Sequence, residues 1–561
     1  MQKKFTNIIG VISLVLVCNL GKAQQWEGYT LYSTQNGTTT TLMDTSHNTY
    51  HTWTHASTAK TGYSSYLMPG GILVRSIARA GNSFTGGPIC GEVQKVDYSG
   101  NVLWDFVYST TTYCTHHDIC PMPNGNVLLI AYESKTATEV TAAGCSTYSA
   151  TMWPDKIVEV QPTGATTGTV VWEWHAWDHL VQNTNTSAAN YQTSIVDHPE
   201  LLNINHGATK DWMHMNGVDY NPILDQVVFS SHAWSEVFVI DHSTTTAEAA
   251  SHSGGNSGKG GDILYRWGTP TNYGATGAAV INVCHDAHWI KEGNPHAGYL
   301  SYYNNNGIST SASCGDMFQT PVSGYNYSWT QGTAYTPSSY AMRQASGGYN
   351  SNMGNIQELP NGNTLVNLGV SGLIKEFTSS GTLLWSKSLT GANAKAFKYS
   401  ACYVNNAAPA IPTISENSGA LTSSSATTYQ WYMNGQQLSG ATAQTYTPTQ
   451  SGIYLVRITD ANGCVYEYSA GYNFTLSSGI NQTTTLLNVK IYPNPSSGMV
   501  YLEDGKSAGY EIQAFDVTGK LIASVKNATS IDLSGMDNGI YLLKIVSADG
   551  HSTYSKIYLS K

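Results

Sequence analysis

The sequence predicts an all-β protein: a β-propeller of five or six blades, then an immunoglobulin-like β-sandwich, then a small C-terminal β-sandwich. Composition is the first observation behind this. The chain has 54 Gly, 37 Tyr and only 11% charged residues, a balance that suits strands and turns rather than long amphipathic helices. The second is a recurring glycine turn that introduces an apolar strand: Met68-Pro69-Gly70-Gly71-Ile72-Leu73, Pro123-Asn124-Gly125-Asn126-Val127-Leu128, and Pro360-Asn361-Gly362-Asn363-Thr364-Leu365. Asn-Gly is a favoured hairpin turn, with positive φ expected at both residues. The third is a strand that ends in tryptophan. It is clear at Val102-Leu103-Trp104, Val170-Val171-Trp172 and Leu383-Leu384-Trp385, and weaker at Trp53 and Trp267. A repeated unit of four short strands buries its faces only against its neighbours, which defines a propeller blade. An array of β-sandwiches is the alternative. The uneven spacing of the units is assigned to insertions at 178–210 and 247–261.

At 561 residues the chain exceeds one ordinary core, and several domains are expected. Residues 1–23 read as a signal peptide. Lys3 and Lys4 precede the apolar stretch from Ile8 to Val17, and Gly21-Lys22-Ala23 offers a small-residue cleavage site. The apolar run is shorter than the roughly 20 residues of a membrane span. Export is therefore expected, with no transmembrane anchor after signal removal. A net charge of −10 argues against nucleic acid as a partner, because phosphate binding needs a basic surface. Beyond Cys18, eight cysteines remain, and none forms a CxxC pair of the structural-zinc type. An even number in an exported chain permits disulfides.

The propeller is assigned to residues 24–405. Ala407-Ala408-Pro409-Ala410-Ile411-Pro412 reads as a linker. Residues 406–475 are read as the immunoglobulin-like module, with Trp431 on a central strand and a later Gly452-Ile453-Tyr454 strand. Cys464 lies within it, and Cys402 just before it is placed to tie its edge. A Ser/Thr-rich linker at 476–486 leads to the last module, 487–561.

Sixteen of the 17 histidines lie between His47 and His296, and the other is His551. Three of their clusters introduce apolar stretches: His116-His117-Asp118, Asp211-Trp212-Met213-His214, and Cys284-His285-Asp286-Ala287-His288. A fold that points the start of each unit at a common centre would bring them together. Histidine there could act as base, nucleophile or metal ligand. His116, His117, His285 and His288 have ligand chemistry suited to zinc or copper, but no HExxH element accompanies them, and neither metal nor cofactor is expected. His175, His179, His198, His206, His242, His252 and His296 are expected on the surface or in loops. Trp174, Trp177, Trp212 and Trp234 are expected to pack, with Trp212 and Trp234 retained as aromatic platforms for a ligand.

The ordered succession of motifs from residue 25 to about 390 resembles the bacterial arylsulfotransferase family. The match rests on His116-His117-Asp118 before Pro123-Asn124-Gly125-Asn126, on Asp211-Trp212-x-His214-x-Asn216-x-x-Asp219-Tyr220, and on Ile263-Leu264-Tyr265-Arg266-Trp267-Gly268. It continues through His285-Asp286-Ala287, Tyr302-Tyr303-Asn304-Asn305-Asn306-Gly307 and Gly354-Asn355-Ile356-Gln357. The resemblance implies nucleotide-independent transfer of a sulfuryl group from an aryl sulfate to a phenolic acceptor through a channel histidine. It makes His214 and His285 the first candidates for sulfate binding and catalysis, and His117 and His232 the second. Arg266 or Arg343 would supply a cation, and Asn216, Trp212 and Trp234 would contact substrate. The sequence departs from the family in having no histidine between His296 and His551, and in Gly332 where a related segment carries histidine. A non-catalytic surface propeller, binding carbohydrate or anions, is therefore the second reading. The last module carries Ile491-Tyr492-Pro493-Asn494-Pro495, Ala514-Phe515-Asp516-Val517-Thr518-Gly519-Lys520 and Met536-Asp537-Asn538-Gly539-Ile540-Tyr541. These resemble the C-terminal sorting domain of type IX secretion, which implies that machinery as a partner and a secreted or cell-surface location.

Overall fold

The computed structural model describes residues 24–476, 489–503, 509–548 and 551–561. The expected signal peptide, and the expected linker beyond Leu476, lie outside them. The chain forms two compact units, divided between Thr475 and Leu476.

Within the first unit, six four-stranded antiparallel sheets follow one another as a β-propeller. The inner strands of the second to sixth sheets are Thr61–Met68, Tyr113–Pro121, Met215–Asn221, Cys284–Trp289 and Asn355–Glu358. The first sheet takes its inner strand from the far end of the propeller. Ala396–Tyr399 pairs with Tyr29–Tyr32, Thr30 facing Lys398, and the ring closes without a free edge there. From Thr61–Met68 round to Ala396–Tyr399, each inner strand contacts the next.

The tryptophan-ending strands occupy the outermost positions of their sheets, and the indoles explain why. Trp53 Nε1 donates to Asp97 O at 2.8 Å, Trp104 Nε1 to Thr167 O at 2.9 Å, Trp172 Nε1 to Thr244 Oγ1 at 3.0 Å, and Trp267 Nε1 to Pro337 O at 2.6 Å. In each case the acceptor lies in a turn or loop of the next sheet, so an aromatic body is buried while its N–H ties two sheets together. Trp385 instead donates to Glu376 in its own sheet. The fifth sheet ends in Met342–Ala345 and has no tryptophan there. Between sheets the core is aliphatic and aromatic, as with Ile130, Trp174, Val227, Phe229 and Phe238 between the third and fourth. Each large side chain of this kind contributes about 1.5–3 kcal/mol by leaving water.

The Asn-Gly turns differ from expectation in one respect. Gly125 and Gly362 have φ of 82° and 81°, while Asn124 and Asn361 are not in the left-handed region. Proline precedes each asparagine and fixes its own φ near −65°, which suits the first corner of a type I turn and leaves only the glycine left-handed.

After a short helix, Ala401–Asn405, the unit adds a two-sheet module. Ile414–Asn417, Ala420–Ser423 and Thr445–Tyr446 form one sheet, and Tyr429–Met433 and Gly452–Thr459 lie at the middle of the other. Trp431 is buried between them and donates to Ala443 O at 2.9 Å. A disulfide joins Cys402 to Cys464 and fastens this module to the end of the propeller. Tyr432 donates to Glu292 Oε1 at 2.5 Å, and Arg457 pairs with the same carboxylate. The other described cysteines are buried free thiols.

The second unit packs a three-stranded and a four-stranded sheet around Val500, Ile512, Leu543, Ile545 and Ile557. Met499–Glu503 alternates exposed and buried residues, the pattern of a sheet with one covered face.

Candidate functional site

Three adjacent inner strands lose register at their histidines. The break falls between Thr115 and Ile119, between Met215 and Gly217, and between His285 and His288. Bulges of this kind re-aim side chains. His117, His214 and Asp286 have φ of 50°, 52° and 57°, a left-handed backbone that costs a non-glycine residue about 1–3 kcal/mol. The strain coincides with the place where the rings converge.

Those rings form a row. His117 and His214 have centroids 4.6 Å apart, His214 and His232 5.0 Å, and His232 and His285 5.4 Å. The four histidines singled out in the sequence, from the third, fourth and fifth sheets, therefore lie together. The sixth sheet presents Met353 at the corresponding turn, also left-handed at φ 60°.

Hydrogen bonding gives each ring a different character, because carboxylates and carbonyls only accept. Asp211 Oδ2 lies 2.7 Å from His214 Nδ1 and accepts from the Tyr132 hydroxyl at 3.0 Å. His214 Nδ1 is thus the donor, and its Nε2 has no hydrogen bond among the described residues. Burial works to raise the Asp211 carboxyl, but the hydrogen bond and charge of His214, with help from His116 and Tyr132, hold it below the usual range.

His117 is backed by a second imidazole. His116 Nε2 lies 2.7 Å from Asp155 Oδ1 as a buried ion-pair contact outside hydrogen-bond geometry. The two Nδ1 atoms of His116 and His117 are 2.8 Å apart, so one of them donates to the other. Burial, then the neighbouring His214, His116, His285 and His232, push His117 well below its ordinary value.

His285 is different again. Asn305 Nδ2 donates to Asn350 O and Met353 O, both at 2.9 Å, which orients the amide so that Oδ1 faces His285 Nδ1 at 2.6 Å. Met353 N–H donates to His285 Nε2 at 3.1 Å. Both ring nitrogens are engaged, so this histidine fixes a turn. Burial and His232 lower its pKa well below the ordinary value. The His232 imidazole makes ring contacts and no hydrogen bond among the described residues, while its backbone N–H donates to His214 O at 3.1 Å. Burial and then His214 lower it to about 4, so it is unprotonated at neutral pH.

Beside the row lies a cation that sequence reasoning missed. Lys395 Nζ is 2.5 Å from both Asp118 Oδ2 and Asp286 Oδ1 and 2.9 Å from the Tyr66 hydroxyl. All three charged groups are buried, and each aspartate directly follows a row histidine. Burial works against the lysine charge, but the two carboxylates outweigh it and raise its pKa. Lys395 precedes the strand that closes the ring, and only that long-range pairing brings it to the channel.

The remaining candidates are placed elsewhere or already engaged. Arg266 and Arg343 lie on the outermost strands of the fourth and fifth sheets. Arg266 is fully buried against Glu236, at 3.1 and 2.5 Å, and Arg343 clamps Asp316 at 2.6 and 2.8 Å. Neither guanidinium faces the row. Asn216 donates to Cys284 O at 2.7 Å and accepts from Ser230 at 2.6 Å, tying two sheets. Trp212 is buried and donates to His206 O at 2.9 Å. Trp234 packs across it, centroids 5.3 Å apart. Its far side borders a hollow of about 520 Å³, lined also by His206, Ala233, Thr269, Asn282 and Asn306. Ala233 and Trp234 directly follow His232, which puts this mixed polar and aromatic wall next to the row in the chain. Of the histidines expected in loops or at the surface, His179 is fully buried and His242 nearly so. The segment around Gly332 lies in an outer loop, where Gln331 reaches Asp197.

The fold and this site define a class: a β-propeller whose inner strands deliver histidines to a shared centre, in a chain that carries a secretion tail. The chain belongs to the arylsulfotransferase (ASST) family, whose model matches residues 29–401. A second model, the secretion system C-terminal sorting domain, matches residues 490–560. That domain marks the protein for type IX export, to the cell surface or the medium. No helix among the described residues is long and apolar enough to cross a membrane.

A search of the curated proteins found no match. Among solved structures, the chain is similar to a protein of unknown function from Bacteroides caccae, at 9% identity and TM-score 0.38, covering 66% of this chain and 98% of that one. It is similar to the periplasmic gluconolactonase of Pseudomonas aeruginosa, at 11% identity and TM-score 0.36, covering 66% and 99%. A streptogramin B lyase gives 10% identity and TM-score 0.32, covering 65% and 80%.

Proposed function

We propose that the channel transfers a sulfuryl group from an aryl sulfate to a phenol, with His214 as the nucleophile. The observation that supports His214 is its pairing with Asp211, which holds the proton on Nδ1 and leaves Nε2 as an unshared lone pair. An unprotonated imidazole is a competent nucleophile when a neighbour fixes its tautomer. In the first step Nε2 attacks sulfur, the bond from sulfur to the aryl oxygen breaks, and its electron pair leaves on the phenolate. The sulfonated ring is stabilised by the Asp211 carboxylate at Nδ1. In the second step the acceptor phenol attacks sulfur and its proton passes by way of the unprotonated His232 to solvent, which returns it to the departed phenolate. The nitrogen–sulfur bond breaks and the pair returns to Nε2. The wall formed by Ala233 and Trp234 would take the aryl ring.

The chain division that accompanies this reading is a signal peptide at 1–23, the catalytic propeller at 24–405, an immunoglobulin-like spacer at 406–475, a linker at 476–486 and the sorting domain at 487–561. One observation favours the second reading, a binding propeller without turnover: the sixth sheet offers Met353, not histidine, and its N–H occupies His285. Turnover of 4-nitrophenyl sulfate, with and without phenol, separates the two. Phenol-dependent release of 4-nitrophenol that disappears in His214→Ala supports transfer. Aryl sulfate binding with no release in the wild type supports the binding propeller.

A further inference from the structure

We propose that His179, His252 and Asp262 form a binding site for a divalent transition-metal ion of the zinc class, remote from the histidine row. One ligand atom from each of the three lies within 4.8 Å of the others. His179 Nδ1 is 2.9 Å from Asp262 Oδ1, and His252 Nδ1 is 2.7 Å from the same oxygen. Ligands held about 2.0–2.1 Å from a tetrahedral zinc ion stand roughly 3.3 Å apart, so these groups need open by only a few tenths of an ångström.

His179 is held by both ring nitrogens. Its Nε2 lies 2.8 Å from Ala249 O, and a carbonyl only accepts, so Nε2 carries hydrogen. Nδ1 and the facing Asp262 Oδ1 therefore hold either a proton or a cation between them, at a His179 side chain that is 0% exposed. A metal ion can take that proton's place. An N–H given to a backbone carbonyl is also how metal-binding histidines are commonly oriented. Binding would expel the proton that Nδ1 shares with Asp262, and this proton goes to solvent.

The frame is rigid on one side and open on the other. The Trp174 ring stacks parallel to His179 at 5.6 Å, and its Nε1 donates to Gly261 O at 2.6 Å. Gly261 permits this approach, because a Cβ there would stand 1.9 Å from Ala249 O and 2.6 Å from His179 Nε2. Asp262 therefore follows a backbone pressed against the imidazole. The His252 side chain is 63% exposed, which gives an ion a path from solvent and leaves room for water as a further ligand. Two imidazoles and a carboxylate suit zinc or copper over calcium or magnesium. An ion here would pin the 247–261 insertion onto the end of the third sheet.

The test is titration of the full chain with Zn²⁺ by calorimetry, and with Co²⁺ by visible absorption. The wild type is expected to bind one ion per chain at this site and to show a ligand-field band with Co²⁺. His252→Ala, a change at an exposed side chain that leaves the fold intact, is expected to weaken binding at least tenfold and remove the band. Asp262→Asn should act in the same direction, while His214→Ala should leave binding unchanged. The proposal is overturned if the wild type takes up no stoichiometric zinc, if His252→Ala binds as the wild type does, or if binding is lost in His214→Ala instead.

Discussion

Asp211 holds Nδ1 of His214 at 2.7 Å while Tyr132 donates to the same carboxylate oxygen at 3.0 Å. Both hydrogen bonds fall on one oxygen, Oδ2, and the imbalance between the two nitrogens of His214 is built into the fold. Asp211→Asn should break it, because an amide can donate to Nδ1 and drive the proton to Nε2. We expect kcat for aryl sulfate to fall by about 10²–10⁴ with little change in KM. Tyr132→Phe removes one supporting hydrogen bond of about 1 kcal/mol and should reduce kcat by roughly fivefold. Steady-state kinetics at fixed pH reads both.

His285 should behave differently from His214. Its two nitrogens are bound by Asn305 and Met353, so His285→Ala strands a buried amide oxygen and a buried N–H. A loss of about 1–3 kcal/mol per stranded group is expected in urea unfolding. His214→Ala, at a ring that is partly open, should abolish turnover and leave the urea midpoint nearly unchanged. Measuring both quantities on both variants separates the fixed histidine from the reactive one.

These contrasts show what the sequence could and could not express. Glycine turns and tryptophan strands are local, and they mark the sheets well. The fifth sheet escaped because Met342–Ala345 lacks the tryptophan. The histidine row was visible because its members start inner strands or follow their neighbours. Arg266 and Arg343 misled because a sequence motif does not say whether a strand is innermost or outermost, and both sit at the outer edge with carboxylate partners. Lys395 was hidden because its partners, Asp118 and Asp286, meet it only after the two ends of the propeller pair. His179 and His242 look like loop residues until neighbouring segments cover them.

His242 bridges two sheets, 3.0 Å from Glu159 Oε2 and 2.8 Å from Asp225 Oδ1. Burial works to lower its pKa, but hydrogen bonds to Asp225 and Glu159, and their charges, raise it to about 9. A folded pKa above the unfolded value of about 6.5 means the charged form is preferred in the fold. The stabilisation is fully present below about pH 6.5 and is lost as pH rises through about 9, amounting to about 3 kcal/mol. Urea midpoints taken across that window should fall for the wild type, and fall less for His242→Gln.

Lys395 neutralises two buried carboxylates at once. Lys395→Ala leaves Asp118 and Asp286 facing each other without a cation, and breaking a buried pair in this way costs about 3–5 kcal/mol. A large drop in thermal midpoint is expected. The double change Lys395→Met with Asp286→Asn should recover part of it, because one uncompensated charge is removed. Scanning calorimetry of the two variants against the wild type checks this.

The central claim is a covalent bond between sulfur and His214. It is tested most directly by mixing the protein with 4-nitrophenyl sulfate in the absence of phenol, quenching under alkaline conditions, and mapping peptides by mass spectrometry. The account predicts one added sulfuryl group on the peptide carrying His214, removed when phenol is supplied before the quench and absent in His214→Ala. A sulfuryl group found on His117, His232 or His285, or turnover with no modified histidine at all, would contradict it.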